Sequence, residues 1–183
     1  LKVIEFTLPA TELAFWDVTR ERFCVETGKY DIMIGASSED IRLKETVKVL
    51  GETIPSRDLT EMTKAKNYDD YSFGYIVLDE GEEWETCVVA QDNGAWISFS
   101  DVEFPREVRK FEARVSKCGQ DGLLQIVLDD LEGDIIGECK VTCEGDGTQW
   151  RTVSCDLDRA VTGRHDIYIT FNGGLSLSWL RFC

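Results

Sequence analysis

Apolar and polar residues alternate along most of this chain. A period of two marks a strand with one face buried. Segments 2–8 (KVIEFTL), 30–35 (YDIMIG), 95–104 (AWISFSDVEF), 110–116 (KFEARVS), 123–129 (LLQIVLD), 134–143 (DIIGECKVTC), 150–157 (WRTVSCDL) and 165–171 (HDIYITF) follow it. Turn-forming runs separate them: ETGK, GQDG, LEGD, EGDGT, TGRH and NGG. No segment carries a sustained helical stripe, although ATELAFW and SRDLTEMTKA have room for a turn or two. Many short strands at this spacing predict an all-β sandwich. Low-complexity segments and tandem repeats are absent.

The alternation also assigns faces. With Ile97 and Phe99 inward, Trp96, Ser98 and Ser100 point outward. Phe111, Ala113 and Val115 inward put Glu112, Arg114 and Ser116 out. Leu124, Ile126 and Leu128 inward put Gln125, Val127 and Asp129 out. Ile167, Ile169 and Phe171 inward put Tyr168 and Thr170 out.

The polar stretch GETIPSRDL, with Pro55, divides the chain into residues 1–56 and 57–183. The first part holds three or four strands, too few to close a sandwich. It is therefore expected to complete its fold with residues outside this sequence.

Composition narrows the function. The chain has 183 residues, 43% of them hydrophobic, enough for a core. Its 35 Asp+Glu against 20 Lys+Arg leave a net charge of -15. That sign opposes nucleic acid and anionic membrane surfaces. No apolar run reaches a membrane span of about 20 residues. The start, LKVIEFTLPA, lacks the pattern of a signal peptide. A single His excludes multi-histidine zinc sites and HExxH. Any Ser-His or Cys-His pairing would need His165, which reads as an ordinary strand-end residue.

The seven cysteines are odd in number. Cys139 and Cys143 would share a strand face, but no second close pair completes a zinc cage. A Cys143–Cys155 bridge across a hairpin is left open. Unpaired thiols favour a reducing compartment, the cytoplasm, with secretion as the alternative. The acidic run Asp79-Glu80-Gly81-Glu82-Glu83 fits no metal motif and reads as a solvated loop.

Residues 1–50 carry Leu13-Ala14-Phe15-Trp16-Asp17, Val25-Glu26-Thr27-Gly28-Lys29-Tyr30 and Ile34-Gly35-Ala36-Ser37-Ser38-Glu39-Asp40-Ile41. This run resembles the C-terminal half of the fibronectin-III-like domain that ends family 3 glycoside hydrolases. The resemblance implies that the catalytic carboxylates belong to upstream domains of the parent protein, which become partners of this region.

Residues 61–183 carry Asn93-Gly94-Ala95-Trp96-Ile97-Ser98-Phe99, then Phe111-Glu112-Ala113-Arg114-Val115. Leu128-Asp129, Gly133, Ile136-Gly137, Trp150 and Thr152-Val153 follow, with Gly163, His165-Asp166-Ile167-Tyr168, Phe171, Trp179 and Phe182. This pattern resembles family 6 carbohydrate-binding modules. It implies a jelly-roll sandwich that binds plant-type β-glycans. Such modules bind sugar at the loop end between two aromatics beside an Asn. Here those positions are Ala90, Gly147 or Thr148, and Ser176. Their structural calcium depends on acidic side chains, where this chain has Ala65-Lys66 and Ser178. No cofactor is expected, and no calcium at that site.

The resemblance leaves a concave-face site built on Trp96 and Ser98, joined by Arg114, Gln125 and Tyr168. Trp84 is a further loop-end candidate. Aromatic rings suit sugars because they stack on C–H faces while polar neighbours take the hydroxyls. Three functions follow. One is a non-catalytic glycan-binding module of a family 3 β-glycosidase. Another is a degenerate module with an interdomain or homo-oligomer role, in which Trp96 is buried in a contact. The third is an independent enzyme.

Overall fold

The computed structural model describes residues 3–117, 121–142 and 149–183. The chain divides into two units, Leu1–Pro55 and Ser56–Cys183.

In the first unit a short 3-10 turn, Ala10–Leu13, precedes two hairpins. One pairs β1 (Phe15–Asp17) with β2 (Arg22–Cys24). Asp17 shapes its turn by accepting the Thr19 amide at 2.9 Å. The other pairs β3 (Gly28–Gly35) with β4 (Ile41–Val49). Apolar side chains remain exposed on both hairpins, among them Trp16, Phe23, Leu43 and Val47. The expected strand KVIEFTL does not form over its described residues, 3–8. A strand needs a ladder partner, and each of β1 to β4 pairs within its own hairpin.

The second unit contains β5 (Thr63–Lys64), β6 (Asp70–Tyr71), β7 (Ile76–Glu80), β8 (Thr86–Ala90), β9 (Ala95–Lys117), β10 (Gly122–Leu128), β11 (Ile135–Val141), β12 (Arg151–Asn172) and β13 (Leu175–Phe182). The strand order is β11-β10-β12-β9-β13-β8-β7, with β5 on β13 and β6 on β9. Strands β9 and β12 are unusually long, at 23 and 22 residues. They pair antiparallel from Phe171↔Ala95 to Arg151↔Val115, with register shifts where they bend. The early half of β9 joins β6 and late β12, and β12 continues to β10 and β11. The later half of β9 joins early β12 and β13, and β13 joins β8. These are the two layers of an all-β jelly-roll sandwich. Segments 95–104 and 110–116, read from sequence as separate strands, are thus one strand, and so are 150–157 and 165–171.

Inward residues of both layers meet in one core. Phe99, Phe104, Phe111, Phe171 and Phe182 are among its largest fully buried side chains. Phe182 lies edge-on to Phe104 and Phe111, with ring centroids 5.2 and 5.3 Å away. Arg57 fastens the start of the unit. It is buried, donates to the Asn67 carbonyl at 2.6 Å and to Asp69 at 2.9 Å, and lies over the Phe99 ring.

Five cysteines among the described residues are free thiols: Cys24, Cys87, Cys139, Cys155 and Cys183. The Cys139 thiol is pushed up in pKa by its hydrogen bond with Cys155 and by burial. Cys143 lies outside the described residues, and with it the Cys143–Cys155 pairing.

Phe182→Ala is expected to lower the unfolding free energy by about 3–5 kcal/mol in urea denaturation, because two facing rings lose their partner. A second prediction concerns Glu112, whose carboxyl is held below its ordinary pKa by Lys110 and then Arg181. A lowered folded-state pKa contributes stability at neutral pH and loses it as pH falls through the carboxylate range, about 4.3 and below. Glu112→Gln should therefore show a shallower loss of thermal midpoint between neutral pH and about pH 3 than the parent protein.

Candidate functional site

The outward face of the β11-β10-β12-β9-β6 layer carries most of the expected site. Register sets two adjacent rows across it. One row is Glu138, Gln125, Thr170 and Trp96. The next is Val127, Tyr168, Ser98 and Asp70. Directly opposed residues share a face, so these side chains stand together.

Their contacts form a graded surface. The Trp96 and Tyr168 rings are tilted at 59° with centroids 5.8 Å apart. Thr170 donates to Gln125 Oε1 at 3.3 Å, and Gln125 Nε2 donates to Glu138 at 2.9 Å. Trp96 is half-buried and held through its backbone, whose N–H donates to Ser72 Oγ at 2.9 Å. Burial, then Asp166, Asp130 and Asp70, raise the Tyr168 pKa, so the phenol stays protonated and able to donate. Ser98 is buried beneath this surface. Val127, expected outward, is also buried. Its register neighbours Tyr168 and Ile135 flank it.

Arg114 does not join this group. It lies on the later half of β9, in the other layer, opposite Thr152 and Trp179. Its Nε donates to Glu82 at 2.8 Å, and a second guanidinium nitrogen donates to the same carboxylate. Period two gives its outward direction but not the bend of β9, which carries that face to the second layer. The pair also corrects the expectation for the acidic run, since Glu82 is held by Arg114 instead of being free in solvent. Trp84 shares the 3-10 turn Glu82–Trp84 with that carboxylate. It is 86% exposed, and both Glu83 and Trp84 have left-handed φ angles, 54° and 66°. The turn connects β7 to β8, on the layer that does not carry Trp96.

At the loop end, Ala90 is buried against the sheet, and Ser176 lies opposite Val89 and Ser116. The remaining aromatic position, Gly147 or Thr148, lies outside the described residues. A groove of about 490 Å³ opens there, lined by Asn93, Asp121, Leu123, Lys140, Thr142 and Asn172 among others. Asn93 Oδ1 accepts the Gly173 amide at 2.6 Å, and Gly173 takes the φ of +91° that this turn requires. The sequence signals are the Asn-Gly pairs at 93–94 and 172–173, which mark turns but not a groove.

His165 is engaged at both ring nitrogens, with Asp129 at 3.0 Å and the Thr162 carbonyl at 3.2 Å. Among the described residues no three His, Cys, Asp or Glu side chains gather in a metal cage. Ala65, Lys66 and Ser178 offer no carboxylate, a donor set that does not fit calcium.

Residues 64–183 match the profile of a family described as carbohydrate binding module (family 6), and residues 2–38 match a fibronectin type III-like domain. A family 6 carbohydrate-binding module from Clostridium cellulolyticum, solved in complex with xylose, superposes with a TM-score of 0.64 at 29% identity. The match covers 69% of this chain and 99% of that one. A beta-glucosidase of Pyricularia oryzae is 37% identical over 46 residues, 25% of this chain and 6% of the relative. An arabinoxylan arabinofuranohydrolase of Paenibacillus polymyxa is 34% identical over 82 residues, 44% of this chain and 13% of the relative. The matched regions are thus small fractions of those enzymes.

Asn93→Ala should cost about 1 kcal/mol in urea denaturation, the value of one hydrogen bond to a turn amide. An unchanged unfolding midpoint would show that Asn93 does not hold the Gly173 turn.

Proposed function

The chain belongs to carbohydrate-binding module family 6, and we propose that its second unit binds a neutral β-glycan on the open face built by Trp96, Tyr168, Gln125, Thr170 and Glu138. The observation that carries this reading is the Trp96–Tyr168 pair, 5.8 Å between centroids, beside the Thr170–Gln125–Glu138 hydrogen-bond chain. Rings give a pyranose an apolar surface, and the adjoining amide, hydroxyl and carboxylate take its hydroxyls. The xylose complex of the Clostridium cellulolyticum module supports a sugar ligand for this fold.

We also propose that this region belongs to a family 3 β-glycosidase whose catalysis resides in other domains. The fibronectin type III-like match followed by the sugar-binding module supports that order, as does the likeness to a beta-glucosidase. The module would then act without chemistry, raising the effective concentration of the catalytic domains at a polymer. The buried Ala90 at the loop end favours a second reading, an interdomain or oligomer-forming module that has lost sugar binding.

Affinity gel electrophoresis of the full chain on xylan, mixed-linkage glucan and laminarin separates the two. Retardation by one of these polymers is expected, weakened about tenfold or more in Trp96→Ala, the equivalent of roughly 1.4 kcal/mol of lost binding. No retardation on any polymer would favour the structural role.

A further inference from the structure

The Tyr168 end of the open face is acidic. Asp70 stands in the same row as Tyr168, with Ser98 between them. Asp166 immediately precedes Ile167, and Asp130 follows the end of β10. These carboxylates accept hydrogen bonds from backbone amides, which leave their charge in place. Asp70 accepts Tyr71 N at 2.8 Å, Asp130 accepts Glu132 N at 2.9 Å, and Asp166 accepts Asp101 N at 2.8 Å. All three act electrostatically on the Tyr168 phenol.

Nearby basic side chains are already engaged elsewhere. His165 sits on Asp129, Arg164 on Asp101 and Glu103, and Arg57 on Asp69. At the opposite end of the face Lys140 stands in register with Leu123, beside the loop-end groove. Three carboxylates thus surround Tyr168, whereas at the other end Lys140 stands beside Glu138 and Asp121.

Resting on the sugar-binding reading, we propose that Asp70, Asp130 and Asp166 make the Tyr168 end of the face a charge filter, which accepts neutral β-glycan chains and rejects chains carrying a uronate there. A uronate seated on Tyr168 would meet the same three charges that act on the phenol. Repulsion of that kind persists over about 8 Å at physiological salt.

Calorimetric titration of the full chain tests this. Xylotetraose and cellotetraose are each compared with a uronate-bearing counterpart, glucuronate-substituted xylotetraose and cellotetraose oxidised at C6. At low salt the neutral member should bind about fivefold tighter or more, and the gap should narrow in about 0.5 M salt as the screening length shortens. Asp70→Asn/Asp130→Asn keeps the amide-accepting oxygens. It should narrow the gap by weakening the penalty on the uronate-bearing member. Equal affinities for the two members, or a gap that neither salt nor the double variant alters, would overturn the filter and leave the sugar-binding reading standing. No binding of any of the four ligands by a folded chain would sink that reading and the filter together.

Discussion

The antiparallel ladder between β9 and β12 is the constraint on which the second unit depends. Each strand is long enough to serve both layers, and their pairing persists through the bends. The layers therefore cannot separate as independent sheets. Parting them would break this ladder together with the Phe104, Phe111 and Phe182 contacts that it brings into register. Burial of the aromatic core and backbone pairing are coupled, which is the basis of cooperative unfolding in a domain of this size.

The same ladder builds the candidate site. Register across four strands places Glu138, Gln125, Thr170 and Trp96 in line, so the surface is positioned by sheet geometry and not by loops. Side chains anchored on strands are held more rigidly than side chains on connecting segments. The bend that makes the sandwich also divides the outward residues of β9 into two groups. Trp96 and Ser98 go to one layer and Arg114 to the other, where Glu82 neutralises it.

Much of this was legible in the sequence. Alternation gave the inward residues Ile97, Phe99, Phe111, Ala113, Val115, Ile167, Ile169 and Phe171, all fully buried. It also gave Trp96, Tyr168 and Gln125 a shared direction. It did not reveal that two segments form one strand, because a bend with a register shift looks like a turn when only local pattern is read. The expected strands did not include β4, β7, β8 or β13, although β4 and the start of β13 alternate. KVIEFTL shows the opposite error, since an alternating pattern states which face could be buried and supplies no partner to bury it against. The Arg114–Glu82 pair and the Asn93 clamp link residues 32 and 80 positions apart, and no local period encodes them.

Strand β7 ends its sheet with one side of its backbone unmatched among the described residues. Val77 and Leu78 are exposed there, a combination that invites another chain to continue the sheet. Asp79 and Glu80 on the same strand, with Glu83 just beyond, place carboxylates along that border. A second copy approaching edge to edge would bring like charge against like charge. Charge repulsion at this border would thus oppose continuation of the sheet, as strand closure does in a barrel.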